Sequence, residues 1–301
     1  MGLISVIIVT YNSKEYIESC IDSVFAQKDK DWEVIVIDNA SCDGTREILK
    51  SKYPRIAMVE NPENYGYSKA LNQGIAKTRG EFILCLNDDV KLRDNDFLTA
   101  AYNTMNKDER IGAIQPKVLK PSGAIDTTGI GLSFLRRFYD FNSGKIDAPE
   151  LNRQKYVFGA CNAAAFYRRK ALEEIKQGNE YFDEDFFCLV EDVDISWRLQ
   201  KKSWLTLYQP NAVCIHNRGL SRRKDNFTQY LNMRNRYLMI IKNESLWGFL
   251  RFPFIFLIYD LWRNLFMLII NHKYLLKAYY EIRILLPKIL NKRKTCNLSV
   301  R

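Results

Sequence analysis

The chain has 301 residues, of which 47% are hydrophobic, and this length suits one large α/β domain with an appendage or two domains. Its net charge of +10 is uneven, because residues 217–301 carry 17 Lys and Arg against 4 Asp and Glu while the remainder is mildly acidic. Seven cysteines without a CxxC pair argue against a disulfide framework or a zinc site, and no basic leader precedes the first apolar run, which argues against a signal peptide.

Strand and helix patterns alternate through the first third of the chain. Apolar runs predict strands at residues 6–9, 33–38, 56–59 and 82–86. The segments after the first, second and third strands have helical periodicity, and another helix is predicted at residues 96–106. This alternation favours right-handed crossovers and a doubly wound, mostly parallel sheet.

The fourth strand, Phe82–Leu86, is the centre of this pattern. Its five apolar residues indicate a strand that is buried on both faces, and it leads directly into Asn87, Asp88 and Asp89. Carboxylates at that position lie at the edge of an open sheet where ligands bind, and a divalent cation with a diphosphate would relieve their repulsion. The alternative is a solvated acidic turn, since Asp and Asn are common turn residues.

The pattern is less regular after residue 107. Strands are predicted at residues 111–119, 160–167, 204–208 and 212–215, with helices at 169–177 and from Glu191. Residues 120–157 are rich in Gly, Ser, Pro and charge, and we expect an irregular region there. The last strand ends at His216.

The C-terminal region is helical, basic and apolar from Asn226 onward. Residues 249–270 are strongly apolar, but Asp260, Arg263, Asn264 and Asn271 would form one polar stripe on a helix. Charge so near the middle disfavours a membrane-spanning helix, and helices that lie in the interface of an anionic membrane fit better. The alternative is a pair of helices that pack on the sheet or on a second subunit.

Polar clusters follow four of the predicted strands, at Tyr11–Asn12, Asp38–Asp43, Asn87–Asp89 and His216. Taken singly, Asp38 would more often cap a helix and His216 would more often be a structural histidine. In a parallel sheet, however, these strand ends would converge on one edge. Their convergence predicts a single site.

In this order the motifs resemble those of the family 2 glycosyltransferases of the GT-A fold, over roughly residues 3–220. The resemblance rests on the segments Val6–Asn12, Val36–Thr45, Asn64–Gly74, Leu86–Asp89 and Glu191–Asp194, and on His216. It implies a GT-A catalytic domain at residues 1–220, with a nucleotide-sugar half at 1–119 and an acceptor half at 120–220, followed by a membrane-associating helical region at 221–301. The subgroup that it resembles most makes bacterial surface polysaccharides and includes rhamnosyltransferases.

The resemblance implies roles for most of the polar clusters. Tyr11 and Asp38 would hold a pyrimidine base by stacking and by accepting its ring N–H, and Lys69 would contact the diphosphate. The residues expected to bind the nucleotide sugar are Thr10, Tyr11, Asn12, Asp38, Asp43, Asn64, Lys69, Asn72, Asn87 and Asp88. Asn87 departs from the first acidic residue of the family's DxD motif, which leaves Asp89 as the expected ligand of Mg²⁺ or Mn²⁺, with His216 completing the metal site.

Asp192 is the candidate general base, because an inverting displacement needs a carboxylate opposite the leaving group. Glu191 and Asp194 are alternatives on the acceptor side, and Trp197 would pack beneath the site. All three acids could instead serve the helix N-terminus, where negative charge is favoured.

The sequence thus predicts an inverting, metal-dependent hexosyltransferase that is peripheral on the cytoplasmic face of the cell membrane. It would move a sugar, such as rhamnose, from a dTDP or UDP donor to a lipid-linked or saccharide acceptor, without a nucleic-acid partner; whether it forms a homodimer is open. One alternative is a sugar-1-phosphate nucleotidyltransferase, although residues 10–13 lack the Gly-rich basic loop which that class needs. The other is a non-catalytic membrane-binding module.

Overall fold

The computed structural model describes residues 2–28, 31–218 and 225–297. The expected boundary between the catalytic domain and the C-terminal region, at residues 220 and 221, lies outside these ranges. The first half of the chain forms the predicted alternation of strands and helices. Its elements are β1 (Ile4–Thr10), α1 (Ile17–Phe25), β2 (Trp32–Asp38), α2 (Thr45–Lys52), β3 (Ala57–Glu60), α3 (Tyr67–Lys77), β4 (Phe82–Asn87), β5 (Val90–Leu92) and α4 (Phe97–Lys107).

Strands β4, β1, β2 and β3 are adjacent in that order and all parallel. In this register Thr10 pairs with Asp38, and Val9 pairs with Asn87. The polar residues that follow these strands therefore emerge together at the carboxyl edge of the sheet. The predicted fold class, a mostly parallel α/β sheet, is confirmed.

The second half of the chain completes a ten-stranded sheet and adds a small hairpin. Its elements are β6 (Ile111–Leu119), β7 (Ile125–Thr127), β8 (Ile130–Leu132), β9 (Phe138–Asp140), β10 (Lys155–Val157), β11 (Ala164–Arg168), α5 (Arg169–Ile175), α6 (Glu191–Lys201) and β12 (Leu205–His216). Strand β11 lies antiparallel between β4 and β6, and β12 is parallel to β6. Strands β8 and β9 form a separate two-stranded antiparallel sheet.

Helices cover both faces of the sheet. On one face, alternate residues of β1, beginning with Ile4 and Val6, pack against apolar residues of α1 and α4. On the other face, Ile7 and Val9 pack against α3, α5 and α6. The full burial of β1 explains its continuous β-branched sequence.

The C-terminal region begins with α7 (Asn226–Asn243), which packs against α6 and the long last helix. Two short helices, α8 (Leu246–Phe249) and α9 (Phe252–Ile255), and a π-helical turn at Phe256–Asp260 lead into α10 (Leu261–Asn297). Non-helical dihedral angles at Asn271 divide α10, close to the division that the sequence predicts.

Two details differ from the sequence-based expectation. Residues 120–157, expected to be irregular, contain four short strands, and β7 joins the main sheet beside β6. The strands predicted at 204–208 and 212–215 form a single strand, β12, whose register is irregular between Gln209 and Val213. Pro210, which has no N–H to donate, stands at that irregularity.

Candidate active site

The loops after β1 and β2 are tied together at the carboxyl edge of the sheet. The Asn12 backbone N–H donates to Ser41 Oγ at 2.9 Å, and Asn12 Oδ1 accepts from the Cys42 N–H at 2.9 Å. Asn12 adopts φ 54°, which Asn tolerates better than most residues. The turn leaves the Tyr11 ring 39% exposed beside the buried Thr10, as a stacking platform would require.

Asp38 is fully buried at the end of β2. Its Oδ2 accepts from Arg46 Nε at 2.5 Å and from the Ser41 N–H at 3.1 Å. Its Oδ1 is also buried and has no hydrogen-bond partner within the described parts of the chain. A buried carboxylate oxygen without a partner is costly, so this atom is suited to accept an N–H from a bound ligand.

Asp43 stabilises the loop that precedes α2 through hydrogen bonds. It accepts hydrogen bonds from the Thr45 N–H at 3.1 Å, from the Thr45 hydroxyl at 2.6 Å and from the Lys14 N–H at 2.9 Å. These bonds lower the pKa of Asp43 against the opposing effect of burial. Asp43 therefore holds the shape of the loop edge beside Asp38.

Asn64 and Lys69 lie where the loop after β3 enters α3. Asn64 Oδ1 accepts from the Gly66 N–H at 2.9 Å, in a local turn. Lys69 Nζ lies 3.7 Å from the centre of the Tyr65 ring, a cation–π contact that leaves the ammonium able to reach a nearby anion.

Asn72 is not placed as the sequence predicts. Its amide nitrogen donates to Phe182 O at 2.8 Å and to Glu184 Oε1 at 3.0 Å, and its Oδ1 accepts from the N–H groups of Tyr181 and Phe182. All of its hydrogen-bonding capacity is used to hold residues 181–184, so Asn72 supports that segment and does not face a nucleotide.

The residues after β4 point in different directions. Asp88 Oδ2 accepts from the Ser13 hydroxyl and, at 3.2 Å, from the Tyr11 N–H. Burial raises the pKa of Asp88 to about 6; the Ser13 hydrogen bond opposes this shift and the charge of Asp89 adds to it. The Asn87 side-chain oxygen is buried without a partner among the described residues. Asp88 is thus joined to the β1 loop.

Asp89 and His216 come together although 127 positions separate them in the sequence. His216 Nε2 lies 3.3 Å from Asp89 Oδ1, and His216 Nδ1 lies 3.0 Å from Asp126 Oδ2. Burial lowers the pKa of His216, but hydrogen bonds and charges of Asp126 and Asp89 outweigh this and raise it to about 9. A carboxylate behind an imidazole whose other nitrogen faces a second carboxylate is the usual arrangement at a metal site.

Asp126 is a site residue that sequence reasoning missed. It lies on β7, in the region expected to be irregular, and it binds Arg218 Nε through both carboxylate oxygens, at 2.8 and 2.9 Å. Arg218 in turn lies 3.8 Å from Asp140 on β9. A three-residue strand is too short to show a pattern that would identify this carboxylate, and His216, its partner, is 90 residues away in the sequence.

Glu191 and Asp192 open α6 in a buried environment. Burial raises the pKa of Glu191 to about 7. Burial, followed by the charges of Glu191 and Asp140, also raises the pKa of Asp192 well above its usual range. Asp140 therefore influences Asp192 electrostatically and also lies beside Arg218, which binds Asp126 behind His216.

The other two acceptor-side candidates, Asp194 and Trp197, contact other side chains of the protein. Asp194 is completely buried and contacts Arg198, Lys242 and Asn243, so it does not line the site. Trp197 packs edge-to-face against Phe158.

The arrangement combines the buried Asp38, one of whose oxygens has no partner in the described parts of the chain, with the Asp89–His216 pair at the carboxyl edge of an α/β sheet, and Asp192 is a carboxylate of raised pKa at the start of α6. Fold and site together define the class of transferases that act on nucleotide-activated sugars, with the GT-A architecture. The family model "Glycosyl transferase family 2" matches residues 5–176. The chain belongs to this family and is a glycosyltransferase.

The chain aligns with two relatives over most of its own length. The chain is 24% identical over 272 residues, covering 81% of this chain and 86% of the relative, to N-acetylglucosaminyl-diphospho-decaprenol L-rhamnosyltransferase of Mycobacterium tuberculosis. It is 26% identical over 226 residues, covering 70% of this chain and 49% of the relative, to poly-beta-1,6-N-acetyl-D-glucosamine synthase of Staphylococcus aureus.

Solved structures support the fold. A Pyrobaculum calidifontis mannosyltransferase in complex with GDP-Man and Mn²⁺ aligns over 98% of this chain and 74% of its own, with a TM-score of 0.58 and 18% identity. The S. aureus protein TarS, residues 1–349 with UDP-GlcNAc, aligns over 81% of this chain and 68% of its own, with a TM-score of 0.55 and 20% identity.

Proposed function

We propose that the chain is an inverting, metal-dependent glycosyltransferase that moves a sugar from a dTDP or UDP donor to a lipid-linked acceptor at the cytoplasmic membrane face. The observation that carries this proposal is the Asp89–His216 pair at the carboxyl edge of the sheet, with Asp126 behind the imidazole and Asp140 close enough to influence both Arg218 and the high-pKa Asp192. Cation, leaving group and base can then surround one anomeric carbon.

The donor's base would stack on Tyr11 and donate its ring N–H to Asp38 Oδ1. This oxygen is buried, and the second oxygen of Asp38 is already held by Arg46, so the acceptor atom is fixed before the donor binds. Asp88, which the β1 loop orients, would meet the ribose or support the metal ligands. Lys69 is the nearest candidate for a diphosphate contact.

Asp89 and His216 are the residues that would hold Mg²⁺ or Mn²⁺. Their donor atoms face each other at 3.3 Å, and Asp126 fixes the ring through Nδ1, which keeps Nε2 directed at Asp89. No group of three or more His, Cys, Asp or Glu side chains that could hold a metal occurs within the described ranges, so the diphosphate and water would supply the other ligands. The bound cation would act as a Lewis acid that neutralises the departing nucleoside diphosphate.

Asp192 would take the proton from the acceptor hydroxyl. Its Oδ1 accepts from the Val193 N–H at 2.8 Å, which fixes the carboxylate at the first turn of α6. A raised pKa makes this carboxylate a stronger base than an ordinary aspartate once it is deprotonated. Glu191 lies beside it and is the alternative base.

The acceptor and location are inferred from the C-terminal region. The M. tuberculosis relative is named for a diphospho-decaprenol acceptor, and α10 here presents a row of exposed apolar side chains. By length and composition, Phe252–Lys294 would be sufficient to cross a membrane. However, Asp260 pairs with Arg236 and Asn264 binds Tyr237. Since these bonds tie the polar stripe to α7, we infer that the helix lies in the interface.

The first test is a panel of nucleotide sugars with Mn²⁺, read by the product that is released. A nucleoside diphosphate is expected from a subset of dTDP and UDP sugars. Release of pyrophosphate instead would favour the sugar-1-phosphate nucleotidyltransferase alternative. Absence of turnover across the panel, with the membrane binding retained, would favour the non-catalytic alternative.

The second test addresses the base. The Asp192→Asn variant should bind donor with wild-type affinity but lose about 10²- to 10⁴-fold in kcat, because only proton transfer is removed. Isothermal titration gives the donor affinity, and nucleoside diphosphate release with acceptor present gives kcat. Near-normal transfer by this variant would refute the assignment of Asp192.

A further inference from the structure

A second cavity, separate from the donor site, lies between α7, the start of α10 and the turn that joins β8 to β9. Its volume is about 560 Å³. Three arginines line it, one from each of these elements: Arg137 from the turn, Arg236 from α7 and Arg263 from α10. The amides of Gln229 and Asn232 add further hydrogen-bonding groups.

The cavity carries uncompensated positive charge. Arg236 pairs with Asp260 through Nε at 2.9 Å and Nη2 at 3.1 Å. Arg137 and Arg263, in contrast, form no ion pair with any carboxylate of residues 2–28, 31–218 or 225–297. Burial and the neighbouring charge of Arg236 lower the pKa of Arg263. Arg263 is partly buried, and a charge removed from water without an ion-pair partner is unfavourable. The exposed Arg137 adds a second positive charge at the mouth of the cavity, so the lining favours an anion.

The side chains that line the cavity limit the class of anion that it would bind. Guanidinium groups bind phosphate oxygens in pairs through planar N–H donors. Arg137 and Arg263 can supply such donors to a group with several phosphate oxygens. Arg236 adds positive charge to the lining, since its own N–H groups already bind Asp260 and the carbonyls of Leu135 and Arg136. Phe266 lines the same cavity and is 56% exposed, next to Trp262 and Ile269 on the apolar outer face of α10. The surroundings therefore fit an amphiphile with a phosphate head and a hydrocarbon chain.

Strand β9 connects this cavity to the active site. Phe138 lines the cavity, and Asp140, two residues further along, lies beside Arg218 and Asp192. Residues two apart on a strand share a face and are separated by about 7 Å. A ligand whose head lies in the cavity would extend its next group along this face toward Asp192.

We propose that the Arg137–Arg236–Arg263 cavity binds the diphosphate of a lipid-linked acceptor, with the hydrocarbon chain along α10 and the acceptor sugar directed at Asp192. This inference rests on the proposed function for the identity of the acceptor. The anion site itself is independent of catalysis, so it can be tested by binding alone.

The test uses the full chain and farnesyl diphosphate, a soluble isoprenoid diphosphate. Binding is measured by titration in EDTA, so that the donor's metal site does not contribute. The double variant R137Q/R263Q should bind about 100-fold more weakly, or about tenfold for each arginine removed, since each charge-assisted contact is worth roughly one such factor. R137K/R263K should recover part of the affinity. Arg236 is left intact because its pair with Asp260 is structural.

Three controls decide the outcome. The matched variant K273Q/R283Q removes two exposed charges from α10 and should bind farnesyl diphosphate like wild type. A loss of affinity equal to that of R137Q/R263Q would mean that only the net charge of the chain matters, and it would overturn the proposal. Asp89→Ala should keep farnesyl diphosphate affinity while losing metal-dependent donor affinity. Retained affinity in R137Q/R263Q, with the fold verified by its Tm, would also overturn the proposal.

Two further ligands separate the possible sources of phosphate. Inorganic pyrophosphate should bind much more weakly than farnesyl diphosphate, because it lacks the chain. Glycerophosphoglycerol, the soluble head group of phosphatidylglycerol, should not compete for the cavity; competition at equal phosphate would indicate a phospholipid site and contradict the acceptor assignment. If binding behaves as expected but the donor panel shows no transfer, the proposed function fails while the anion site remains.

Discussion

Glu191 and Asp192 are neighbouring carboxyl groups at the start of α6, and the charge of Glu191 makes Asp192 harder to ionise. Burial is the largest cause of the raised pKa of Asp192, and the Glu191 charge is the next. Only the deprotonated form of Asp192 can accept a proton from the acceptor. We therefore expect kcat to rise with pH along an acid limb that Asp192 governs.

Replacing Glu191 tests this coupling. Glu191→Gln removes a neighbouring negative charge, so the pKa of Asp192 should fall and the acid limb of kcat should move to lower pH. The exposed Glu47 of α2 is a matched control, and Glu47→Gln should leave the pH profile unchanged. If Glu191→Gln instead lost about 100-fold or more in kcat at every pH, Glu191 would be the base and not Asp192.

Asp126 governs the orientation of His216 in the same way that a carboxylate supports a metal-bound histidine. Asp126→Asn keeps the size of the side chain but removes the charge behind Nδ1. Mn²⁺-dependent donor affinity should fall by about 10- to 100-fold, measured by donor titration at several Mn²⁺ concentrations. Donor binding in EDTA serves as the internal control, and an unchanged metal dependence would contradict the placement of Asp126 behind the metal site.

The residues that sequence alone could identify share one property: each stands directly after an apolar strand. Asp38, Asp89 and His216 were predicted on that ground. The register of β1, β2 and β4 brings the ends of these strands together, and the pairing of β12 with β5 places His216 opposite Val90, next to Asp89. Asp126 and Asp140 lie on strands of three residues, too short for periodicity to reveal. The contacts of Asn72 with residues 181–184 span over 100 positions, so the sequence does not reveal them.

At the level of elements, the C-terminal helices are joined to the catalytic helix by a buried network of charges. Lys242 of α7 contacts Asp183 at 2.6 Å and Asp194 of α6 at 2.8 Å. Lys292 of α10 contacts the same Asp183 at 2.5 Å. Burial would raise the pKa of Asp183, but the two lysine charges hold it below its ordinary range. The C-terminal region is thus an integral part of the fold that positions Asp192.

Breaking this network should lower the free energy of unfolding. Lys242→Met would leave two buried carboxylates without their shared cation, and we expect a loss of about 3–5 kcal/mol in the free energy of unfolding, measured by urea denaturation at pH 7. Since the pKa of Asp183 is lowered in the folded state, its contribution is present above the unfolded pKa and lost as pH falls. The deficit of the variant should therefore shrink on acidification.

Lys277→Met is the matched control for that measurement. Lys277 is half exposed, and its Nζ lies 3.9 Å from Glu281. A surface pair of this kind contributes about 0–1 kcal/mol. A similar, small loss in both variants would mean that the Lys242 network is not a source of stability.

Across the whole molecule, basic residues and large exposed apolar side chains are concentrated in the C-terminal region. The excess of basic residues is confined to the C-terminal region, which also presents large exposed apolar side chains on α10 and before it. An exposed apolar surface of this extent marks an interaction site. Its combination with basic residues favours an anionic lipid surface.

Flotation with vesicles tests this surface. The full chain should float with phosphatidylglycerol-containing vesicles, and more weakly as salt is raised, because part of the attraction is electrostatic. Trp262 and Ile269 are 66% and 83% exposed. The double variant W262D/I269D should weaken vesicle binding by about 100-fold or more, since two apolar side chains no longer enter the lipid.

The same variant also distinguishes lipid from protein as the occupant of the apolar face. Because both side chains are largely exposed, its Tm and its transfer of sugar to a water-soluble acceptor should match wild type, whereas transfer to an acceptor embedded in vesicles should fall with the vesicle affinity. Sedimentation measures the oligomeric state and so tests whether protein covers this face instead of lipid. A wild-type dimer that becomes a monomer in W262D/I269D, with flotation unchanged, would mean that a second copy of the chain covers this face and that the membrane does not.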